Sequence, residues 1–227
     1  MCKFNTYLLL TNFQYLLMIK NILFDMGGVI FLQNTEKAFR RFAAQGVDTN
    51  VYMGAHGQKG IFLDLEEGKI TPEEFRRGMS EIVGHEVSME DVAYCWEGFF
   101  DGAPVDRLHT LLDLKKHYHL GLLSNTNPFM MALTDSSRLS TDRRPISDYF
   151  DSLFLSYEMK AYKPDEKIFR MALERDGLLA EETLFIDDAL KNIEGARRLG
   201  IHGLHVTTNA DWRPQLFEII SPLRSEQ

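Results

Sequence analysis

Cysteine is almost missing from this chain. Cys2 and Cys95 are the only two among 227 residues, too few for a disulfide framework or a four-thiolate zinc site, and this usage points to a reducing cytoplasmic setting. Runs of positive charge are missing too. The 25 basic side chains face 33 acidic ones, a net charge of −8. Without a basic run, neither nucleic acid nor an anionic membrane is expected as the main partner. No apolar stretch approaches the ~18 residues of a membrane span. Near the N-terminus, the apolar clusters at 7–10 and 15–18 are interrupted by Thr11, Asn12 and Gln14. Lys3 is the sole charge of that region and no small-residue cleavage site follows, so no signal peptide is expected. Met18 directly precedes the first convincing strand and is the expected native start, which makes residues 1–17 an upstream extension or a loosely docked tail.

What is present suits a soluble globular protein. An apolar content of 44% and a charged content of 26% can bury a sizeable core. The length corresponds to one domain with an insertion, or to two small domains.

Strand and helix signals alternate along most of the chain. Ile22-Leu23-Phe24 is a short apolar run that ends in Asp25 and Gly27-Gly28, a buried strand followed by a turn. Further strands are expected at 120–123, ending at Ser124-Asn125, at 153–155, at 183–186, ending at Asp187-Asp188, and at 202–206. Apolar residues at helical spacing separate them, as in Val105, Leu108, Leu111 and Leu112, or Ile193, Ala196 and Leu199. Residues 34–102 read differently: helical throughout, with no strand. Within them Thr71-Pro72-Glu73-Glu74 carries an N-cap, a proline at the first helical position and a capping-box glutamate. The pattern predicts a parallel sheet covered on both faces, with a helical insertion after the first strand.

In open parallel sheets, ligands bind beyond the carboxyl ends of the strands. Asp25, Ser124 and Asp187-Asp188 each follow an apolar run and so share one rim, which the turn Lys163-Pro164-Asp165 can also reach. Any one of these polar residues, taken alone, is more simply a turn former.

Taken together and in order, Asp25-Met26-Gly27-Gly28-Val29, Ser124-Asn125, Lys163-Pro164 and Asp187-Asp188-Ala189-Leu190-Lys191-Asn192 resemble the four motifs of the haloacid dehalogenase-like hydrolases. The resemblance covers about residues 20–208. The stretches 123–127 and 67–71 are similar to the branch that contains bacterial glucose-1-phosphate phosphatases. The resemblance implies a Rossmann-like, doubly wound α/β core of residues 18–33 and 103–227, with residues 34–102 as an inserted α-helical cap domain. It implies Mg²⁺-dependent hydrolysis of a small phosphorylated metabolite, most plausibly a sugar phosphate. Asp25 would be the nucleophile, forming an aspartyl-phosphate. Asp25, the backbone carbonyl of Gly27 and Asp188 would hold Mg²⁺, with Asp187 and Asn192 behind them and Asn192 holding a metal-bound water. Ser124 and the Asn125 N–H would bind phosphoryl oxygens, and Lys163 would offset the accumulated negative charge.

One position departs from the pattern. The family's phosphatases usually carry a second aspartate two residues after the nucleophile, where this chain has Gly27. General acid–base help is worth about 10²–10⁴-fold, so three readings stay open: another group or water supplies the proton, the leaving group needs little acid, or the protein binds phosphate-bearing ligands as a sensor with poor turnover. The runner-up chemistry, metal-independent 2-haloacid dehalogenation, also uses an attacking aspartate but gains nothing from Asp187, Asp188 and Asn192. His56 and Glu67 are candidate substrate contacts from the cap, although a loop histidine and a solvated glutamate are the simpler readings. Trp96, Phe99 and Phe100 read as cap core. His117 and His119 are two apart but lack an obvious third zinc ligand. The polar stretch 126–148 reads as a long mobile or recognition segment.

Overall fold

The computed structural model describes residues 19–54 and 57–220. Residues 1–17, Met18 and His56 lie outside the described residues. In chain order the strands are β1 (Asn21–Phe24), β2 (Met53–Gly54), β3 (Gly57–Gln58), β4 (His119–Ser124), β5 (Ser152–Leu155), β6 (Thr183–Asp187) and β7 (His202–His205). The helices are α1 (Thr35–Ala44), α2 (Thr49–Tyr52), α3 (Ile61–Glu66), α4 (Pro72–Val83), α5 (Met89–Trp96), α6 (Val105–Leu114), α7 (Pro128–Thr134), α8 (Ser156–Met159), α9 (Glu166–Asp176), α10 (Leu190–Arg197) and α11 (Arg213–Ile220).

The expected strands form one parallel sheet in the order β5-β4-β1-β6-β7. Successive side chains of a strand face opposite sides, and the two cores divide accordingly. Ile22, Phe24, Leu120, Leu122, Leu184 and Ile186 face one core, whereas Leu23, Leu123, Phe154 and Phe185 face the other with Ile168, Phe169 and Ile193. Strand β1 lies between β4 and β6, where the strand order reverses, and the crevice beyond such a point is where ligands bind. This is the α/β architecture that the resemblance implied.

The segment between β1 and β4 differs from the expectation in one respect. It is mostly helical, but β2 and β3 pair antiparallel within it. Two residues per strand are too few to show alternation, which is why no periodicity announced them. The segment is continuous with the first core: Phe42, Phe62, Phe75 and Trp96 are fully buried in the same apolar cluster as Ile22 and Phe24. Thr71 caps α4, and its capping box with Glu74 is formed as the sequence predicts.

The stretch 126–148 opens on a helix that its polar composition does not announce. Asn127 caps α7, and Phe129, Met130, Met131 and Leu133 are buried. A capping asparagine followed by proline at the first helical position is a helix start, a stronger signal than the polar residues beyond it.

Helix α3 is fastened to the sheet at its end. Ser156 donates its hydroxyl to the Glu66 carbonyl (2.6 Å) and accepts from the Thr126 N–H (3.0 Å). Two residues on, Gly68 has φ +66°, and a Cβ there would overlap the Tyr157 carbonyl. The Gly68→Ala variant is therefore expected to lose at least about 1–3 kcal/mol of stability from backbone strain, read from the urea midpoint. An unchanged midpoint would show that this contact is dispensable.

Candidate functional site

Local structure at the end of β1 sets the position of Asp25. Its N–H donates to the Ile186 carbonyl (2.8 Å), which registers it against β6. The following turn closes through Gly28 N–H to Phe31 O (2.9 Å) and is held from behind. Buried Arg107 and the Trp212 indole both donate to the Val29 carbonyl, each at 3.0 Å, and the Asn209 N–H donates to the Gly28 carbonyl (2.7 Å). Gly28 has φ +76°, and a Cβ on it would lie 2.5 Å from Asp188 Oδ2. Glycine is what lets this turn pass beside Asp188.

Lys163 lies at the centre. Its ammonium donates to Asp25 Oδ1 (2.7 Å), Asp187 Oδ2 (2.7 Å) and the Leu123 carbonyl (2.8 Å). Burial alone would lower its pKa, but Asp187 and Asp25 outweigh burial and hold the amine above its ordinary range. Asn125 fixes the loop that carries it: Asn125 Oδ1 accepts from the Lys163 N–H (2.8 Å), and Asn125 Nδ2 donates to the Lys163 carbonyl (3.0 Å). Asp187 is fully buried and also accepts from the Ala189 N–H (2.7 Å) and from Asn192 Nδ2 (3.0 Å).

The site carries more negative than positive charge. Carboxylate oxygens of Asp25, Asp187 and Asp188 all lie within 4.8 Å of one another. Burial pushes the Asp25 carboxyl up to about 7; Lys163 opposes that shift, and Asp187 and Asp188 add to it. Burial likewise raises Asp188, against a hydrogen bond from Thr208. Three carboxylates against one ammonium leave room for two positive charges. All the oxygens are hard donors of the kind Mg²⁺ prefers. Behind them, the buried Asn192 Oδ1 has no protein partner, an acceptor available to a water on an ion. The donor set fits a divalent cation held by Asp25 and Asp188.

A cavity of about 380 Å³ opens over this cluster, lined by Asp25, Gly27, Ser124, Asn125, Lys163 and Asn192 from the sheet side. Phe39, Met53, Gln58, Glu66, Trp96 and Phe99 line it from the helical segment. The structure thus brings Asp25, Ser124, Asn125, Lys163, Asp187, Asp188 and Asn192 to one place. Glu67 is not among the lining residues. It pairs with Lys69, and its neighbour Glu66 faces the cavity instead. The aromatic pair Trp96 and Phe99 is both core and cavity wall. Position 27 offers no side chain, and a Cβ there would stand 3.2 Å from the Gln33 carboxamide oxygen.

Sequence reasoning missed Glu66. It is buried, and the Tyr162 hydroxyl donates to its carboxylate (2.9 Å). Its signal was helical phase: it follows the buried Phe62 by one turn. Burial pushes its carboxyl up to about 7, against the Tyr162 hydrogen bond. Between pH 4.5, the ordinary value, and about 7, the folded protein therefore holds a proton that the unfolded chain has released, and stability falls as pH rises through this window. A Glu66→Gln variant has no such proton to lose. It should gain roughly 2–3 kcal/mol over the parent between pH 5 and pH 8, measured by urea unfolding at each pH. Parallel stability profiles would refute the buried, neutralised carboxyl.

Comparison with known proteins agrees with this geometry. A family model described as haloacid dehalogenase-like hydrolase matches residues 19–200. A D-ribitol-5-phosphate phosphatase of Bacteroides thetaiotaomicron is 40% identical over 205 residues, covering 90% of this chain and 100% of the relative. A sesquiterpene phosphatase of Aspergillus oryzae is 29% identical over 191 residues, 83% of this chain and 90% of that protein. Among solved structures, a HAD-like family hydrolase from Porphyromonas gingivalis superposes with a TM-score of 0.86 at 37% identity, covering 92% of this chain and 100% of the other. A HAD family enzyme of Bacteroides thetaiotaomicron in complex with magnesium and inorganic phosphate gives 0.78 at 35% identity, covering 87% and 98%. The chain belongs to the haloacid dehalogenase-like hydrolases, and within them it stands with the phosphatases.

Proposed function

We propose that this hydrolase is a Mg²⁺-dependent phosphatase of a small phosphorylated sugar or polyol, acting through an aspartyl-phosphate on Asp25. The observation that carries the reading is the charge balance: Asp25, Asp187 and Asp188 converge around the single buried ammonium of Lys163. Such a cluster serves phosphoryl transfer, where an anionic nucleophile must approach an anionic ester. Displacement of halide from a haloacid needs no metal and has no use for the surplus carboxylates. The similarity to a phosphatase of ribitol 5-phosphate, and to an enzyme crystallised with magnesium and phosphate, supports both the reaction and the metal.

Each residue then has a role. Asp25 and Asp188 hold Mg²⁺ with the Gly27 carbonyl, and the ion supplies Lewis-acid neutralisation of phosphoryl charge. One Asp25 oxygen attacks phosphorus while the other stays on the cation side. Lys163 favours the ionised form of Asp25 against burial and orients it (Nζ to Oδ1 2.7 Å). Ser124 and the Asn125 N–H bind phosphoryl oxygens, and Asp187 positions Lys163 and Asn192. Residues 34–102 act as a cap over a core of residues 18–33 and 103–227, excluding water from the ester. The P–O ester bond breaks as the Asp25–P bond forms, the departing alkoxide takes its proton from water because position 27 offers no acid, and a second water then cleaves the aspartyl-phosphate to release phosphate and restore Asp25.

Phosphate release from a panel of sugar and polyol phosphates tests this reading. Release is expected with Mg²⁺ and is lost in EDTA, and Asp25→Asn should remove it to below detection. Wild-type rates in that variant would reject the nucleophile. Binding without turnover across the panel would favour a metabolite sensor instead.

A further inference from the structure

We propose that Gln33 holds the water that protonates the departing oxygen, standing in for the side chain that position 27 lacks. The inference rests on the phosphatase reading above and assigns its proton transfer to the neighbourhood of one residue.

The Gln33 carboxamide borders the space into which a side chain at position 27 would project. A Cβ on Gly27 would stand 3.2 Å from Gln33 Oε1 and 3.5 Å from its Cδ, and no other polar side chain comes as near. Both residues line the cavity with Asp25. Gln33 is half-buried, and among the described residues its carboxamide has no hydrogen-bond partner. The other strong polar groups on the lining are engaged. Lys163 donates to three acceptors, and the Glu66 carboxylate accepts from the Tyr162 hydroxyl. A carboxamide without a partner can present its oxygen, its NH₂ group or both to water.

The main chain of Gln33, in contrast, is fixed. Its N–H donates to Asn209 Oδ1 (2.7 Å), and Asn209 Nδ2 donates to its carbonyl (3.0 Å). Asn125 holds Lys163 by the same pair of bonds. The Asn209 N–H also donates to the Gly28 carbonyl (2.7 Å), so a single residue registers Gln33 against the turn that follows Asp25. Buried Arg107 holds Asn209 in its turn, donating to the Asn209 carbonyl (2.7 Å). A clamped backbone that ends in an unengaged amide is the form of a residue that meets something in the cavity.

An amide has no acidic proton to give, so Gln33 is a positioning residue that acts through water. As the Asp25–P bond forms and the P–O ester bond breaks, a water on the amide passes a proton to the departing oxygen and is left as hydroxide. The Gln33 NH₂ group donates to that hydroxide and lowers the cost of forming it. The second water then attacks phosphorus and gives its proton to the hydroxide. The bond between phosphorus and Asp25 breaks, phosphate leaves and the carboxylate is restored. Across the cycle a single water is consumed.

Such help matters most when the leaving oxygen is strongly basic. The test therefore compares kcat/KM for phenyl phosphate and p-nitrophenyl phosphate, similar in shape but unequal in leaving-group basicity, on the full chain with Mg²⁺. Gln33→Leu keeps the bulk and removes both polar groups. It should cost phenyl phosphate on the order of 10²-fold and p-nitrophenyl phosphate less than about tenfold. Gln33→Glu supplies an acid at the same place, and should restore the ratio of the two esters as pH falls and the new carboxyl is protonated. The ratio is the readout because misfolding or packing damage lowers both rates together and leaves it unmoved. A ratio that Gln33→Leu leaves at the wild-type value, or that Gln33→Glu does not restore at low pH, overturns the proposal while the phosphatase reading stands. A wild type that hydrolyses neither these esters nor any sugar or polyol phosphate defeats that reading and this proposal with it.

Discussion

A buried ammonium between two carboxylates is the constraint on which this structure turns. Lys163 is 1% exposed, and its three N–H bonds end on Asp25, Asp187 and a main-chain carbonyl. Removing two carboxylates and an amine from water is expensive unless their geometry is good and every donor is used. Both conditions are met here, because the sheet order sets β1 beside β6 and brings Asp25 and Asp187 to neighbouring strand ends. Asp188 adds a third carboxylate that Lys163 does not touch. The site is thereby left electrostatically incomplete in the direction that suits a cation and a phosphate together.

Much of the surrounding structure holds that arrangement still. Asn125 grips both backbone groups of Lys163, and Asn192 grips Asp187. Arg107 and Trp212 converge on one carbonyl behind the Asp25 turn. None of these side chains has to touch a ligand. Their shared effect is that the charged atoms cannot relax apart when water leaves, which is the condition for electrostatic preorganisation.

The sheet was legible because its strands are short apolar runs ending in polar residues, and a buried parallel strand requires that pattern. The rim cluster was legible for the same reason, since Asp25, Ser124 and Asp187 each terminate such a run. What lay over the rim was harder to read. The pair β2–β3 has no period to detect, and α7 was hidden behind the polar residues that follow its Asn127-Pro128 start. Choosing between Glu66 and Glu67 depends on helical phase to within one residue. Phe62 and Leu65 define that phase only once the helix ends are known. Trp96 was visible as a core residue, but its second place on the cavity wall is a property of three-dimensional packing and leaves no mark in sequence.

The hydroxyl of Ser156 has a consequence for how the molecule reaches its native state. It joins backbone from positions 66 and 126, separated from it by 90 and 30 residues. Contacts so distant along the chain close late, because the loop entropy must be overcome before they bring any gain. The charged cluster joins positions further apart still, 138 residues between Asp25 and Lys163, so the cavity wall that carries Glu66 and Thr126 and the cluster beneath it both assemble late, and a chain stalled before that point holds neither.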